Sequence, residues 1–217
     1  LILINPNNPT GNYLNQDQIQ ELLEALPRQL NLILDESFIH FASMEIDTVN
    51  ASLLLLANHP NLILIRSCGK DYGLSGLRIG YALMHPARIR ILRDTGMIWN
   101  CNAFVQWFWE ISGYTQFRKE YELLRRKQVG VCHTFFNDLA KIKNLKVYPS
   151  QASFCLARLP DHIAAPDFCL SMLKKEGVYL RDCSNKTGLD QHYVRIAARI
   201  KKENKQIVRS IEKELLC

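Results

Sequence analysis

Short apolar runs alternate with amphipathic stretches along the first third of the chain. Runs rich in leucine and isoleucine lie at residues 1–4, 31–35 and 62–65. Their length and lack of alternation are typical of strands buried on both faces. The first stretch between them begins with Asn15 and Gln18, a pair that suits a helix N-terminus. Strands separated by helices predict parallel βαβ units and therefore an α/β fold. A strand over 78–84 follows too closely for a helical crossover, so we expect it to be antiparallel in a mixed, mostly parallel sheet.

The second half of the chain changes to a long helix followed by a smaller group of strands and helices. Helical spacing predicts shorter helices over 87–95 and from 102, and a long basic helix over 116–137. Beyond it we expect a small α+β unit with strands at 146–148, 153–159, 178–181 and 193–196, and helices at 166–176 and from 202. The predicted domains are therefore 1–115, the C-terminal part of a larger domain, and 116–217, a small domain that includes the long helix.

The start of the chain indicates that it is part of a longer protein. The first residue is Leu1, and the sequence opens inside an apolar run with no cap or linker before it. We therefore expect an N-terminal part to precede the segment described here.

Composition and charge narrow the classes of partner. A chain of 217 residues, 47% hydrophobic and 22% charged, can bury a substantial core. No segment reaches the roughly eighteen apolar residues of a membrane span, and no signal-peptide pattern opens the chain, so we predict a cytoplasmic protein. The net charge of +6 is spread without aromatic interleaving, which fits anionic small substrates better than nucleic acid. Seven scattered cysteines, none in a C-x-x-C pair, predict reduced thiols and no metal site.

Polar residues follow each of the three predicted parallel strands. Asn8 comes after the first, Asp35 ends the second, and Ser67 to Lys70 follow the third. The carboxyl ends of parallel strands lie at one sheet edge, where ligands of α/β proteins bind. An unpaired carboxylate at the end of a hydrophobic strand is costly, so we expect Asp35 to face a cationic group.

The segment after the third strand combines a lysine with a glycine-rich turn. Lys70 is followed by Arg78 and by glycines at 73, 76 and 80. Such a loop can approach a phosphate closely while it keeps an amine nearby, which suggests a carbonyl cofactor that carries a phosphate. From this segment alone, a surface lysine and arginine on a turn is the alternative.

Ser67-x-x-Lys70 followed by Gly-Leu-Ser-Gly-Leu-Arg-Ile-Gly at 73–80 resembles the Schiff-base lysine motif of the class I/II aminotransferases. These are pyridoxal-phosphate (PLP) enzymes of the aspartate aminotransferase fold. The resemblance implies that Lys70 is the catalytic residue and holds the cofactor aldehyde. It also implies that Ser67 and Arg78 bind the cofactor phosphate and that members pair as homodimers.

Two further motifs extend the resemblance to the cofactor ring. In Asp-Glu-Ser-Phe, Asp35 is implied to pair with the pyridine nitrogen and so keep the ring an electron sink. In Asn-Pro-Thr-Gly, Asn8 is implied to donate to the ring oxygen. Phe38 is a departure, because most transaminases of this fold carry a tyrosine there whose hydroxyl also donates to that oxygen.

The stretch 180–199 resembles one branch of the family, which contains threonine-phosphate decarboxylase of cobalamin biosynthesis and histidinol-phosphate aminotransferase. In that branch Arg195 is implied to clamp the substrate α-carboxylate, since a planar fork suits bidentate pairing. Arg181 is the candidate for the substrate phosphate, with a surface ion pair as the alternative. Phe38 and the segment 99–104 are more similar to the decarboxylases, so decarboxylation is the first prediction.

Two other functions stay open. One is transamination of histidinol phosphate or another amino substrate. The other is a ligand-sensing domain of a transcriptional regulator, which the pI near 9.0 permits. A winged helix upstream would favour the regulator, whereas a Gly/Ser-rich phosphate loop would favour the enzyme.

Overall fold

The structure is a computed structural model that describes residues 1–96 and 101–216. Contacts divide the chain into two compact units. The first contains Leu1–Pro6 and Tyr13–Lys127, and the second contains Asn7–Asn12 and the residues from Gln128 onward. The predicted domain boundary after residue 115 stays a prediction. Trp99 and Asn100, which belong to the decarboxylase-like segment, lie outside the described residues.

The first unit is built on a four-stranded mixed sheet. Its strands are β1 (Ile2–Ile4), β2 (Leu32–Asp35), β3 (Leu62–Ser67) and β4 (Gly80–Met84). They lie in the order β1-β2-β3-β4; the first three are parallel, and β4 is antiparallel to β3. The prediction of a mostly parallel mixed sheet is confirmed.

One face of this sheet packs against helices. Leucines 32, 34, 62 and 64 on this face are fully buried. They pack with Ile19 and Leu23 of α1 (Gln16–Ala25), the amphipathic helix that the apolar spacing predicts. Asn15 and Gln18 form the expected capping box at its start, where each side chain satisfies a backbone N–H of the other residue. This packing fixes the strands whose carboxyl ends carry Asp35 and Ser67.

The remaining helices of the first unit are mostly short. A 3₁₀ turn spans Ile39–Phe41, α2 spans Ile46–Asn50, α3 spans Cys68–Asp71, and another 3₁₀ turn spans Ser75–Leu77. The longer helices are α4 (Pro86–Asp94), α5 (Ala103–Ser112) and α6 (Thr115–Ala140), whose residues from Gln128 onward belong to the second unit. Between β2 and β3, Ala51–Ala57 forms a 3₁₀ helix. Lys70 lies on the one-turn helix α3 rather than on an open loop.

The second unit is a small α+β arrangement. Its antiparallel sheet has the order β5-β6-β8-β7, formed by Lys146–Val147, Phe154–Arg158, Tyr193–Ala197 and Arg181–Asp182. Its helices are α7 (Ala165–Glu176) and α8 (Lys201–Leu215).

The strand predicted over 178–181 is wrong, because β7 begins only at Arg181. Burial does alternate there, with Tyr179 exposed between buried neighbours. The backbone N–H of Val178, however, donates to the carbonyl of Met172 and caps α7 together with Gly177. The N–H of Val178 is therefore used to cap α7 and is not free to form a strand hydrogen bond.

Within the described part of the chain, every helix is too short or too polar to cross a lipid bilayer.

Candidate active site

Lys70 is placed by the end of β3. Ser67, the last residue of that strand, caps α3 because its Oγ accepts a hydrogen bond from the backbone N–H of Gly69 at 3.2 Å. The short helix then presents Lys70, whose side chain is exposed. The Lys70 Nζ lies 5.5 Å from the centroid of the Phe38 ring, a distance typical of a cation–π contact. The segments that follow β2 and β3 therefore bring Phe38 and Lys70 together.

A cavity of about 420 Å³ lies beside this helix, between the ends of β3 and β4. Its polar lining includes Ser67, Lys70, Ser75 and Arg78, together with Arg66 and Tyr81. The backbones around it approach closely: a Cβ added at Gly80 would lie 2.7 Å from the carbonyl oxygen of Arg66. A side chain at position 80 would force β3 and β4 apart, which explains the need for glycine there.

Arg78 adopts an unusual backbone conformation. Its φ of 55° is in the left-handed region, which non-glycine residues seldom occupy. Its Nη1 donates to the backbone carbonyl of Ser75 at 3.3 Å. Among the described residues no carboxylate forms a salt bridge with it, so the guanidinium can bind an anion.

Asp35 ends β2 and is half-buried. Its Oδ1 accepts the backbone N–H of Ser37 at 2.9 Å, which forms a turn. No lysine or arginine of the described residues forms a salt bridge with it. The first unit thus offers a carboxylate without a cationic partner and, separately, a hydroxyl, ammonium and guanidinium set around a cavity.

The other predicted site residues belong to the second unit. The Oδ1 of Asn8 accepts a hydrogen bond from the Nη1 of Arg195 at 2.8 Å. The Arg195 guanidinium lies over the Phe154 ring, 4.9 Å from its centroid. Its Nε is buried and has no hydrogen-bond partner among the described residues. A buried charged donor without a partner is costly, so Arg195 is suited to receive an anionic ligand. The role of Asn8 toward a cofactor oxygen stays a prediction.

Arg181 lies directly opposite Arg195 in the pairing of β7 with β8. Like charges at such paired positions repel each other. Burial lowers the pKa of Arg195, and the Arg181 guanidinium adds to this lowering. Neither arginine forms a salt bridge with a carboxylate of the described residues. An anion bound between them would relieve the repulsion.

A buried ion pair behind the strand ends was not foreseen. Glu36 follows Asp35 and Arg66 precedes Ser67, and the Arg66 Nε donates to Glu36 Oε2 at 2.8 Å. Both side chains are at most 3% exposed. The alternation of side chains along a strand could have predicted this pair. If Asp35 and Ser67 face the site, the adjacent side chains of Glu36 and Arg66 point to the opposite face of the sheet.

His40 gives a testable pH dependence. Burial lowers the pKa of His40; the Asp71 carboxylate opposes this, the Arg66 and Arg125 guanidiniums add to it, and the Glu122 carboxylate opposes it more weakly. The unfolded chain therefore binds a proton at higher pH than the folded chain does. The stability that comes from keeping His40 neutral is fully present above a pH of about 6.5, and it is lost as the pH falls below that value.

We expect the free energy of unfolding to fall by up to about 1.4 kcal/mol per pH unit in that window. Urea unfolding from pH 7.5 to 5.0 measures it, and His40→Gln should flatten this component of the profile. His59→Gln is the matched control and should keep the wild-type profile. Equal profiles for wild type and His40→Gln would contradict the assignment.

Comparison with known proteins identifies related chains. A family model described as aminotransferase class I and II matches residues 1–211. An L-serine phosphate decarboxylase from Campylobacter jejuni is 41% identical over 97% of this chain and 54% of its own length. A histidinol-phosphate aminotransferase from Methanococcus aeolicus is 28% identical over the whole chain and 56% of its own length.

A solved structure has the same fold. The L-threonine-O-3-phosphate decarboxylase from Porphyromonas gingivalis matches with a TM-score of 0.83 and 28% identity, over 100% of this chain and 64% of the other. The chain spans about half the length of the curated relatives that it matches.

Proposed function

The chain belongs to the class I and II aminotransferase family, and from that membership we propose that the protein is a PLP-dependent enzyme that decarboxylates an O-phosphorylated amino acid. L-Serine phosphate is the first candidate substrate, since the relative at 41% identity is named for it. Threonine phosphate, the substrate predicted from the sequence, is the second. A role in cobalamin biosynthesis, a homodimer and a cytoplasmic location stay predictions.

The first unit offers several groups that suit PLP. The cavity beside α3 offers two hydroxyls, an ammonium and a guanidinium to a phosphate, and the close approach at Gly80 keeps this cradle compact. The carboxylate of Asp35, without a basic partner among the described residues, suits a protonated ring nitrogen. When bound, PLP supplies an electron sink for the bond that breaks at the substrate α-carbon.

The chain's own groups would bind and orient the reactants. Lys70 would bind the cofactor through its Nζ, and that amine can then hold a proton near the α-carbon. Ser67 and Arg78 would fix the phosphate, and Asp35 would keep the ring nitrogen protonated. Decarboxylation breaks the bond between the α-carbon and the carboxylate, releases carbon dioxide, and adds a proton at the α-carbon.

The observation that carries the substrate class is the arginine pair in the second unit. Arg181 and Arg195 face each other, and the Nε of Arg195 lacks a partner among the described residues. A phosphorylated amino acid offers two anionic groups, a carboxylate and a phosphate, and guanidinium forks bind both in bidentate fashion. We propose that Arg195 binds the carboxylate and Arg181 the phosphate.

The proposal is tested with the complete protein loaded with PLP. L-Serine phosphate, L-threonine phosphate and histidinol phosphate are each supplied to it as substrates. Each substrate is assayed with and without 2-oxoglutarate. We expect carbon dioxide and the corresponding phosphorylated amine, independent of 2-oxoglutarate. Glutamate formation that depends on 2-oxoglutarate would instead identify an aminotransferase and contradict decarboxylation.

Arg195→Lys serves as the matched variant in this assay. It keeps the positive charge but loses the planar fork, so kcat/KM should fall roughly ten- to a hundredfold. Arg199→Lys, on an exposed arginine after β8, should leave kcat/KM unchanged. Equal kcat/KM for wild type and Arg195→Lys would remove Arg195 from the substrate site.

A further inference from the structure

The helix that carries Lys70 is too short to hold its own orientation. Helix α3 has four residues, and a single turn gains too few hydrogen bonds to be stable alone. Its first end is fixed by the Ser67 cap. What fixes its other end, at Asp71 and Tyr72, therefore decides where the Lys70 side chain points.

Asp71 anchors that end to α6. Its side chain is only 3% exposed, and its Oδ2 accepts a hydrogen bond from the Tyr121 hydroxyl at 2.7 Å. The His40 Nε2 lies 3.5 Å from the same oxygen, while Oδ1 is buried without a partner among the described residues. In the described part of the chain, the Tyr121 hydroxyl thus donates the one short hydrogen bond that the Asp71 carboxylate accepts from a side chain.

Tyr121 also holds the next residue of the same turn. Its ring stacks on the Tyr72 ring at a centroid distance of 4.2 Å, with 19° between the planes. Tyr72 in turn contacts Phe108 and Phe117. Burial and the Asp71 charge raise the pKa of Tyr121, so the hydroxyl stays protonated and remains a donor. One side chain of α6 therefore makes both a polar and an aromatic contact with the end of α3.

A second contact of α6 reaches a different loop. The Arg125 guanidinium donates to the backbone carbonyls of His40, Ser43 and Met44. These residues follow Phe38, and none of these bonds reaches α3. Arg125 thus holds α6 to the segment 40–44 of the same unit and makes no direct hydrogen bond to α3 among the described residues, which makes it a comparison for the role of Tyr121.

We infer that Tyr121 is a positioning residue for Lys70: through its hydrogen bond to Asp71 it fixes the one-turn helix that aims the catalytic amine at the cofactor. The inference rests on the proposed function, because it assigns Lys70 the role of binding PLP. Tyr121 touches neither cofactor nor substrate in this role. It acts through Asp71, so its effect must disappear when Asp71 can no longer accept the bond.

The test is made on the complete protein, with Tyr121→Phe, Asp71→Ala and the double variant. Tyr121→Phe keeps the stacked ring and removes the hydroxyl, which donates to Asp71 and also lies 3.2 Å from the His40 Nδ1. We expect the dissociation constant of PLP to rise about tenfold or more, as for a lost hydrogen bond to a charged group. Reduction with borohydride at limiting PLP, followed by peptide mass spectrometry, should show a smaller share of label on Lys70 and more on other lysines. Amide hydrogen exchange should accelerate at 69–73 but not in β2 or β3.

The double variant and the control variants distinguish a positioning role of Tyr121 from a general effect on protein stability. If Tyr121 acts through Asp71, the double variant should lose no more PLP affinity than Asp71→Ala alone. Asp71→Asn keeps an acceptor oxygen and should recover most of the Lys70 label. Tyr114→Phe, on an exposed tyrosine just before α6, should match wild type. Arg125→Lys should lower the unfolding midpoint without redirecting the label.

The outcomes also separate this inference from the proposed function. Wild-type protein that carries no label at Lys70 would contradict the function itself. Label confined to Lys70 in both wild type and Tyr121→Phe, with equal PLP affinity, would leave the function standing and overturn the inference. Additive losses in the double variant would likewise overturn it, since Tyr121 would then act independently of Asp71.

Discussion

Lys70→Ala is expected to lower carbon dioxide release by a factor on the order of 10⁴, the upper range for a positioned acid–base group. The variant lacks the amine that would bind the cofactor aldehyde and that would hold a proton near the α-carbon. The cavity, its serines and Arg78 remain, so PLP should still bind, but noncovalently and with faster release. Steady-state kinetics and dialysis of the loaded protein measure the two effects.

Lys70→Arg and Lys119→Ala complete this experiment. Arginine keeps the positive charge over the Phe38 ring but cannot form the covalent bond, so it should be as inactive as alanine. Lys119 is an exposed lysine on α6, and its alanine variant should retain wild-type turnover. Activity in Lys70→Ala within tenfold of wild type would exclude the catalytic role given to Lys70.

Arg66→Met is expected to destabilise the first unit by about 3–5 kcal/mol, because it leaves the Glu36 carboxylate buried without its cation. Glu36 is 1% exposed and would keep only the hydrogen bond from Ser52. Arg66 also donates to Asn50 Oδ1 and to the Val49 carbonyl, so the loop 49–52 should loosen as well. Native-state hydrogen exchange of the buried Leu34 and Leu64 amides measures the free energy in this unit.

The double variant and a surface control sharpen this prediction. Glu36→Gln added to Arg66→Met removes the buried charge and should recover part of the loss. Arg93→Met breaks an exposed pair with Asp94, whose side chains are more than 70% exposed, and should cost less than about 1 kcal/mol. An Arg66→Met protein as stable as Arg93→Met would show that the buried pair contributes little.

The fold of the first unit could be predicted from sequence because local pattern and tertiary packing agree there. The leucines of β2 and β3 form continuous apolar runs, and their burial against α1 follows directly from that pattern. The short spacing before β4 excluded a helical crossover, and β4 is indeed antiparallel. The capping pair Asn15 and Gln18 marked the start of α1 for the same reason: its hydrogen bonds are local.

The errors fall where nonlocal or capping contacts override the local pattern. Residues 178–180 alternate in burial like a strand, but the N–H of Val178 is used by the end of α7. Lys70 was expected on a loop, because a local cap alone does not stabilise a four-residue helix. Its stability comes from Ser67 at one end and from Tyr121, fifty residues beyond Asp71 in sequence, at the other.

The candidate site divides in the same way. Lys70, Asp35, Ser67 and Arg78 stand at strand ends or in a glycine-rich turn, so pattern and resemblance both indicate them. Other residues could not be recognised from the sequence, because their partners lie far along the chain. These are Asp71 with Tyr121, and Glu36 with Arg66. Nothing in the sequence around Tyr121 predicts that its hydroxyl forms a hydrogen bond with the Asp71 carboxylate.

The stacked rings of Tyr72 and Tyr121 have an optical consequence. Aromatic side chains held in fixed packing give a near-ultraviolet circular dichroism signal, which vanishes when that packing is lost. The two rings lie 4.2 Å apart, and Tyr72 directly follows the helix that carries Lys70, so this signal reports on the packing at the end of that helix. A change in the orientation of helix α3 should therefore change the near-ultraviolet circular dichroism of the protein without an added dye or label.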